Sequence, residues 1–410
     1  ASWGMFYDLP QTLFGYGFVE EPPWGESISQ TNVNFSNPWA NYPGGNPFPI
    51  SLNKNFTFPN FGTYANYPLN LKVTYLEQWN VTLERQFGSN WLASASYLGN
   101  NTIHLWTNDP INAPVFMGLG ACTINGIAYP VCSTTANENQ RRPLYLQNPA
   151  QGKYYGAIDQ LAPTGTASYN ALLLSLQHRL SNHFTVLANY TYSHCITDPF
   201  VSELDSTASQ YTDPTDRRFD RGNCLGIDHR HNFNLSGVAE SPNFSERWLE
   251  DVAGHWRLSL SIRAETGSYF SITTGTDTTL TGTGAPRPNQ ILGDPYCANP
   301  IPSCWINPKA FSTISGPLLG SLGNVGSGTL LGPGYLTVNV ALSRLIYFHE
   351  HQSIELRGEA FNLLNNFSPG YAPAGVSTTT IATALNASNF GQVQIAADPR
   401  IMQFAVKYVF

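Results

Sequence analysis

At 410 residues, with a formal net charge of −7 and no basic run, the chain is poorly suited to a nucleic-acid partner. Charged residues make up 11% and aromatics 13%, against about 25% charged residues in an ordinary soluble domain, so its surface is not that of a hydrated globule. No stretch reaches the roughly 18–20 uninterrupted apolar residues of a membrane-spanning helix, which leaves a closed barrel as the membrane option.

Gly, Pro, Ser, Thr and Asn are plentiful and Met is scarce, a composition that favours strands and long turns. The expected fold class is all-β. The chain begins within an expected strand, 2–8, without an initiator Met or a signal-peptide pattern, and reads as a fragment.

Period-2 alternation is the decisive signal, because one face of a membrane strand meets hydrocarbon and the other meets the lumen. In chain order, Trp79, Val81, Leu83 and Phe87 oppose Gln78, Asn80, Thr82, Glu84 and Gln86. Leu172, Leu174 and Leu176 oppose Ser175, Gln177 and Arg179, and Phe184, Val186, Ala188, Tyr190 and Tyr192 oppose Thr185, Asn189, Thr191 and Ser193. Phe233 and Leu235 oppose Asn232, Asn234 and Ser236. The clearest run sets Trp256, Leu258, Leu260, Ile262 and Ala264 against Arg257, Ser259, Ser261, Arg263 and Glu265. Leu336, Val338, Val340 and Leu342 then oppose Thr337, Asn339 and Ser343, while Ile354 and Leu356 oppose Ser353, Glu355, Arg357 and Glu359. These runs have the length of tilted membrane strands. Trp79, Trp91, Trp106, Tyr190, Tyr192, Trp256 and Tyr335 lie near run ends, as interfacial girdles require. The final strand, 400–410, puts Met402, Phe404, Val406, Tyr408 and Phe410 on one face; a terminal aromatic after alternating apolar residues resembles the signal read by the barrel assembly machinery.

Connections alternate between short or moderate ones (88–89, 181–182, 241–253, 347–351) and long ones (10–70, 106–167, 196–228, 275–334, 365–397). Counted back from a periplasmic carboxy terminus, the short ones are periplasmic turns and the long ones extracellular loops. Six cysteines fall as local pairs, Cys122/Cys132, Cys195/Cys224 and Cys297/Cys304, suited to disulfides in an oxidising compartment, with reduced thiols as the alternative.

Several stretches resemble the carboxy-terminal half of TonB-dependent receptors of the Oar-like type, which carry a carboxypeptidase-regulatory-like domain. They are YLEQWNVTLERQFGSNWLASASYLGN (75–100), YNALLLSLQHRLSNHFTVLANYTYSHC (169–195), DRRFDRGN (216–223) with IDHRHNFNLSG (227–237), RGEAFNLLNNF (357–367), NFGQV and the closing PRIMQFAVKYVF. The resemblance implies that residues 1–410 supply about the last ten strands of an antiparallel transmembrane β-barrel of about 22 strands, with the plug domain absent from the chain. It implies TonB-dependent uptake of a bulky nutrient (siderophore, oligosaccharide or peptide) across the bacterial outer membrane. The implied partners are outer-membrane lipid, the assembly machinery, a plug and TonB, and an unidentified nutrient ligand. The polar residues Gln78, Glu84, Gln177, Arg179, Arg257, Arg263, Glu265, Arg357 and Glu359 would face the lumen as wall, and Phe404, Val406, Tyr408 and Phe410 would form the assembly signal.

Two other classes compete: a structural or adhesive surface barrel, and a small-barrel surface hydrolase. The hydrolase would use Asp213, Asp216, Asp220, Asp228, His229 and His231, which are interleaved with Arg217, Arg218, Arg221 and Arg230; a self-neutralising network bracing the loop base is the stronger reading. His349 and His351 are expected in a solvated turn, and the Gly-rich 320–334 as flexible external loop without a phosphate-binding GK[ST]. Aromatic segments 14–24 and 56–67 suit loop packing better than ligand stacking. The Asn-X-Ser/Thr triplets at Asn34, Asn55 and Asn80 carry no weight. With no GxSxG, no catalytic residue, cofactor or metal is expected.

Overall fold

The structure is a computed structural model that describes residues 1–8, 21–23, 25, 33–40, 42, 45–46, 48–49, 53–181, 183–199, 211–282, 286–349, 352–370 and 380–410. Its frame is one antiparallel sheet of ten wall strands in sequence order. They are β1 (Ser2–Tyr7), β2 (Tyr75–Phe87), β3 (Trp91–Pro110), β4 (Tyr155–Ser181), β5 (Phe184–Thr197), β6 (His231–Glu240), β7 (Trp256–Glu265), β8 (Tyr335–His349), β9 (Gln352–Phe361) and β10 (Ile401–Val409). Among the described residues β1 and β10 each pair on one side only.

Cross-strand register turns the alternation of each strand into two continuous faces, because directly opposed residues project to the same side. One row runs Leu83, Ala95, Leu174, Tyr190, Phe233, Ala264, Leu336. The next runs Glu84, Ser94, Ser175, Asn189, Asn234, Arg263, Thr337. A one-residue slip in any pair would exchange the faces, so the hydrophobic pattern fixes the register. The apolar face lies bare, with Leu83 73% and Phe404 86% exposed, which in water would be untenable over so wide a sheet.

All nine polar wall residues singled out in the sequence fall on the opposite, polar face. Gln78 shares a row with Asn100 and Tyr169, and Gln177 with Leu92 and Leu187; Glu265 lies opposite Asn232. Charges on this face are paired along and across strands: Arg257 with Glu240 at 2.7 Å, Arg263 with Glu265 at 3.1 Å, and Arg357 with Glu359, which also accepts from Gln403.

The turn at 88–90 is tight because Gly88 adopts φ +59, a conformation that costs a residue with a Cβ. Gly99 serves a different end: the Trp79 indole lies over it, so near that a Cβ would meet the ring at 2.5 Å.

Several expectations need correction. β3 and β4 do not stop near 106 and 167 but run as strands of 20 and 27 residues, beyond the roughly 9–11 a bilayer requires. Their pairing is irregular at Ile103, Leu105 and Thr107, and Gly62–Asn66 adds to β4 in parallel. Trp106 is therefore not a girdle residue; it packs on Leu161 with Tyr67 and Leu71, and its indole N–H donates to the Lys72 carbonyl. Tyr335 pairs with Glu265 on the polar face, so it too leaves the girdle. β8 runs through Tyr347 to His349 and β9 resumes at Gln352, which tightens the expected 347–351 turn; His351 lies outside the described residues. The Gly-rich 320–334 is not loose: Val325 and Leu330 are buried.

The long connections fold on one another. Ile272, Ile306, Ala310, Phe311, Val325, Leu330 and Phe390 make a core that joins the 266–334 and 362–400 connections. Arg141, fully buried, ties the 111–154 connection to this cap: it donates to the carbonyls of Val115, Thr134 and Leu280 and to Asn137 Oδ1. Burial, and the neighbouring Asp277 carboxylate, push the Glu138 carboxyl up from its ordinary range.

Candidate functional site

The polar face ends in a built pocket. At the tips of β7 and β8, the Glu265 carboxylate is buried and held by Asn232 Nδ2 at 3.3 Å and Arg263 Nη2 at 3.1 Å; the Arg263 guanidinium lies 5.0 Å from the Tyr335 ring centroid. Above these groups the 198–230, 266–334 and 362–400 connections enclose a cavity of about 560 Å³. Its walls include His229, Glu265, Tyr269, Phe270, Tyr335 and Ile381. Tyr269–Phe270 is positioned by pairing with Leu330–Leu331, and His229 bridges to Ser268 while its Nδ1 lies 2.7 Å from the Thr266 carbonyl. Aromatic surfaces, hydroxyls and one buried carboxylate in a cleft of this size can hold an organic solute by stacking and hydrogen bonding.

The charged cluster of 213–231 is dispersed rather than convergent. Asp213 accepts from Thr215, and Asp216 from the Arg218 amide. Asp220 accepts from Thr212 and pairs with Arg287 at 2.6 Å, both side chains buried. Arg221 pairs with Asp198 at 2.9 Å. Asp228 lies 3.5 Å from Arg230, which also reaches Asn223 and the Tyr269 hydroxyl. His231 points to the other face of the sheet, against the Tyr190 hydroxyl at 2.7 Å. Among the described residues no three His, Cys, Asp or Glu side chains converge on a point. The cluster braces the loop base.

All six cysteines are in disulfides: Cys122–Cys132, Cys195–Cys224 and Cys297–Cys304. The second ties the end of β5 to the connection that carries His229, on the rim of the pocket. Of the aromatic segments, those in 14–24 lie outside the described residues, while Phe61 packs on Tyr145 and Tyr64 on Tyr155. Sequence reasoning named His229, Glu265 and Tyr335 for other roles and missed the rest of the pocket's walls: Tyr269, Phe270 and Ile381 carry no periodic signal.

A family model described as an outer membrane beta barrel domain matches residues 1–403. The chain belongs to this family. Outer-membrane barrels keep short turns in the periplasm and long connections outside, so the pocket lies on the extracellular side and the bare apolar face meets hydrocarbon.

No curated protein matches the sequence. Among solved structures, the barrel is similar to the outer membrane transporter YddB from Escherichia coli at 12% identity and TM-score 0.40, covering 86% of this chain and 34% of that one. It is also similar to the FrpB iron transporter from Neisseria meningitidis (9%, 0.37; 85% and 33%) and the siderophore receptor PirA from Acinetobacter baumannii (10%, 0.35; 83% and 32%). The chain thus spans about a third of the length of each of these three.

Proposed function

We propose that this chain is the carboxy-terminal wall and outer cap of a TonB-dependent importer, which takes up a bulky nutrient of the siderophore, oligosaccharide or peptide class. The observation that carries the reading is the pocket capping a charged, self-paired polar face. A solute caught by Tyr269, Phe270 and Tyr335 would pass directly onto that face.

On this reading Gln78, Glu84, Gln177, Arg179, Arg257, Arg263, Glu265, Arg357 and Glu359 line the lumen, against a plug supplied by the rest of the protein. Further strands close the barrel toward about 22. Phe404, Val406 and Tyr408, on the apolar face of β10, and Phe410 just beyond its end present the assembly signal. The work is binding and passage, not catalysis. A surface adhesin is the second reading, favoured by the folded cap with its own core.

The test is growth of a strain lacking the gene, and separately of a TonB-deficient strain from the same parent, on a panel of ferric siderophores, oligosaccharides and peptides. Import predicts loss of growth on one class in both strains. Tyr335→Ala should weaken uptake of that class by about 3- to 10-fold, the worth of one aromatic contact. Unchanged growth on every class would leave the adhesin.

A further inference from the structure

A second concavity lies not on the polar face but on the face that meets hydrocarbon. Ala93, Ala95 and Ala188 form the floor of an open groove of about 610 Å³, between ridges that include Leu83 and Tyr190. Register places the floor on the apolar side: Ala95 stands opposite Leu83 and Leu174, and Ala188 opposite Leu176 and Leu235.

Arg85 lines the same groove, opposite Ala93 and close to the periplasmic turn at 88–90. It interrupts the apolar row between Leu83 and Phe87, where alternation calls for an apolar residue. Its guanidinium lies 5.2 Å from the Phe87 ring centroid, and among the described residues it has no ion pair or hydrogen bond. The other arginine within the strands of this face, Arg344, is differently served: it donates to the Asp251 carbonyl and stacks on Trp256. Arg85 thus offers a free planar cation at the depth of the inner-leaflet headgroups, where an arginine costs little and a phosphodiester fits its fork.

We infer that this groove is a site for one phospholipid of the periplasmic leaflet, with the phosphate on Arg85 and an acyl chain along Ala93, Ala95 and Ala188. The charge at the groove's end selects the occupant: a second copy of the chain or a partner helix would have to supply an acid there. Lipopolysaccharide, confined to the outer leaflet, would not reach Arg85.

The test is native mass spectrometry of the full-length protein in neutral detergent, titrated with dioleoylphosphatidylglycerol, with the heat-modifiable mobility of the folded barrel as a control. The parent should retain one lipid saturably. Arg85→Gln should weaken that binding at least about tenfold, the worth of a charge-assisted hydrogen bond. Ala95→Leu, which fills the groove, should abolish it. Ser96→Leu, on the polar face and outside the groove, should not. If Ala95→Leu fails to fold, Arg85→Gln alone decides. Lipid binding that is equal in the parent and the folded variants, non-saturable binding, or a groove cross-linked to a second protein would each overturn the assignment.

Discussion

Replacing Arg287 by methionine should unfold the extracellular cap around it while leaving the wall in place. Arg287 donates through Nε to the Val325 carbonyl at 2.7 Å, through Nη1 to Asp220 at 2.6 Å and through Nη2 to the Phe219 carbonyl at 2.7 Å. Its plane lies 4.2 Å from the Phe219 ring centroid. One side chain thereby joins the 198–230 connection to two stretches of the 266–334 connection. Without it, the buried Asp220 carboxylate keeps, among the described residues, only Thr212. Removing one member of such a buried pair costs about 3–5 kcal/mol, because the other charge is left without compensation. Hydrogen exchange in 211–223, 286–290 and 323–328 should quicken by about a hundredfold or more. The double replacement Arg287→Met with Asp220→Leu should recover most of the loss, since an apolar pair removes the stranded charge. If the single variant exchanges like the parent, the pair does not hold the cap.

Arginine at Leu260 should have the second large effect, and on a different part of the molecule. Leu260 lies at the middle of β7, opposite Gly237 on β6 and Val340 on β8, on the apolar face. With glycine as one neighbour, nothing shields a charge placed there. An arginine at the bilayer midplane costs a barrel about 2–4 kcal/mol. Ser261, the next residue, pairs with Ser236 and Asn339 on the polar face, where an added arginine meets polar groups. Urea titration of the barrel refolded into phosphatidylcholine vesicles should therefore show Leu260→Arg strongly destabilised and Ser261→Arg close to the parent. Equal losses at the two positions would mean that the faces do not differ in environment.

The wall was legible in the sequence because its information is local. A strand with one lipid face writes that face into every second residue, so Leu258, Leu260 and Ile262 could be assigned without knowing their neighbours. Cys122 and Cys132 were legible for a similar reason, since a short separation leaves few partners. The cap was not legible. Its core draws Ile272, Phe311 and Phe390 from distant stretches with no shared period. Arg287 looked like any loop arginine until the fold brought Asp220 beside it.

The 106–167 stretch shows the complementary failure. Its strands continue into water, where no hydrocarbon enforces alternation, so Trp106 reads as a girdle residue and Leu161 as loop although β3 and β4 pair there residue by residue apart from two irregularities. Arg85 shows that an exception within a clear pattern is informative: a charge in an apolar row needs a partner, which Arg344 has in the Asp251 carbonyl and Trp256 and which Arg85 finds at the headgroups.

The wall's orientation can be measured directly by placing nitroxide labels one at a time from 258 to 263 in the protein reconstituted into bilayers. Collision with oxygen, which concentrates in hydrocarbon, should peak at 258, 260 and 262, and collision with a water-soluble nickel chelate at 259, 261 and 263. The reverse phase, or no two-residue period, would contradict the assignment of the apolar face to lipid.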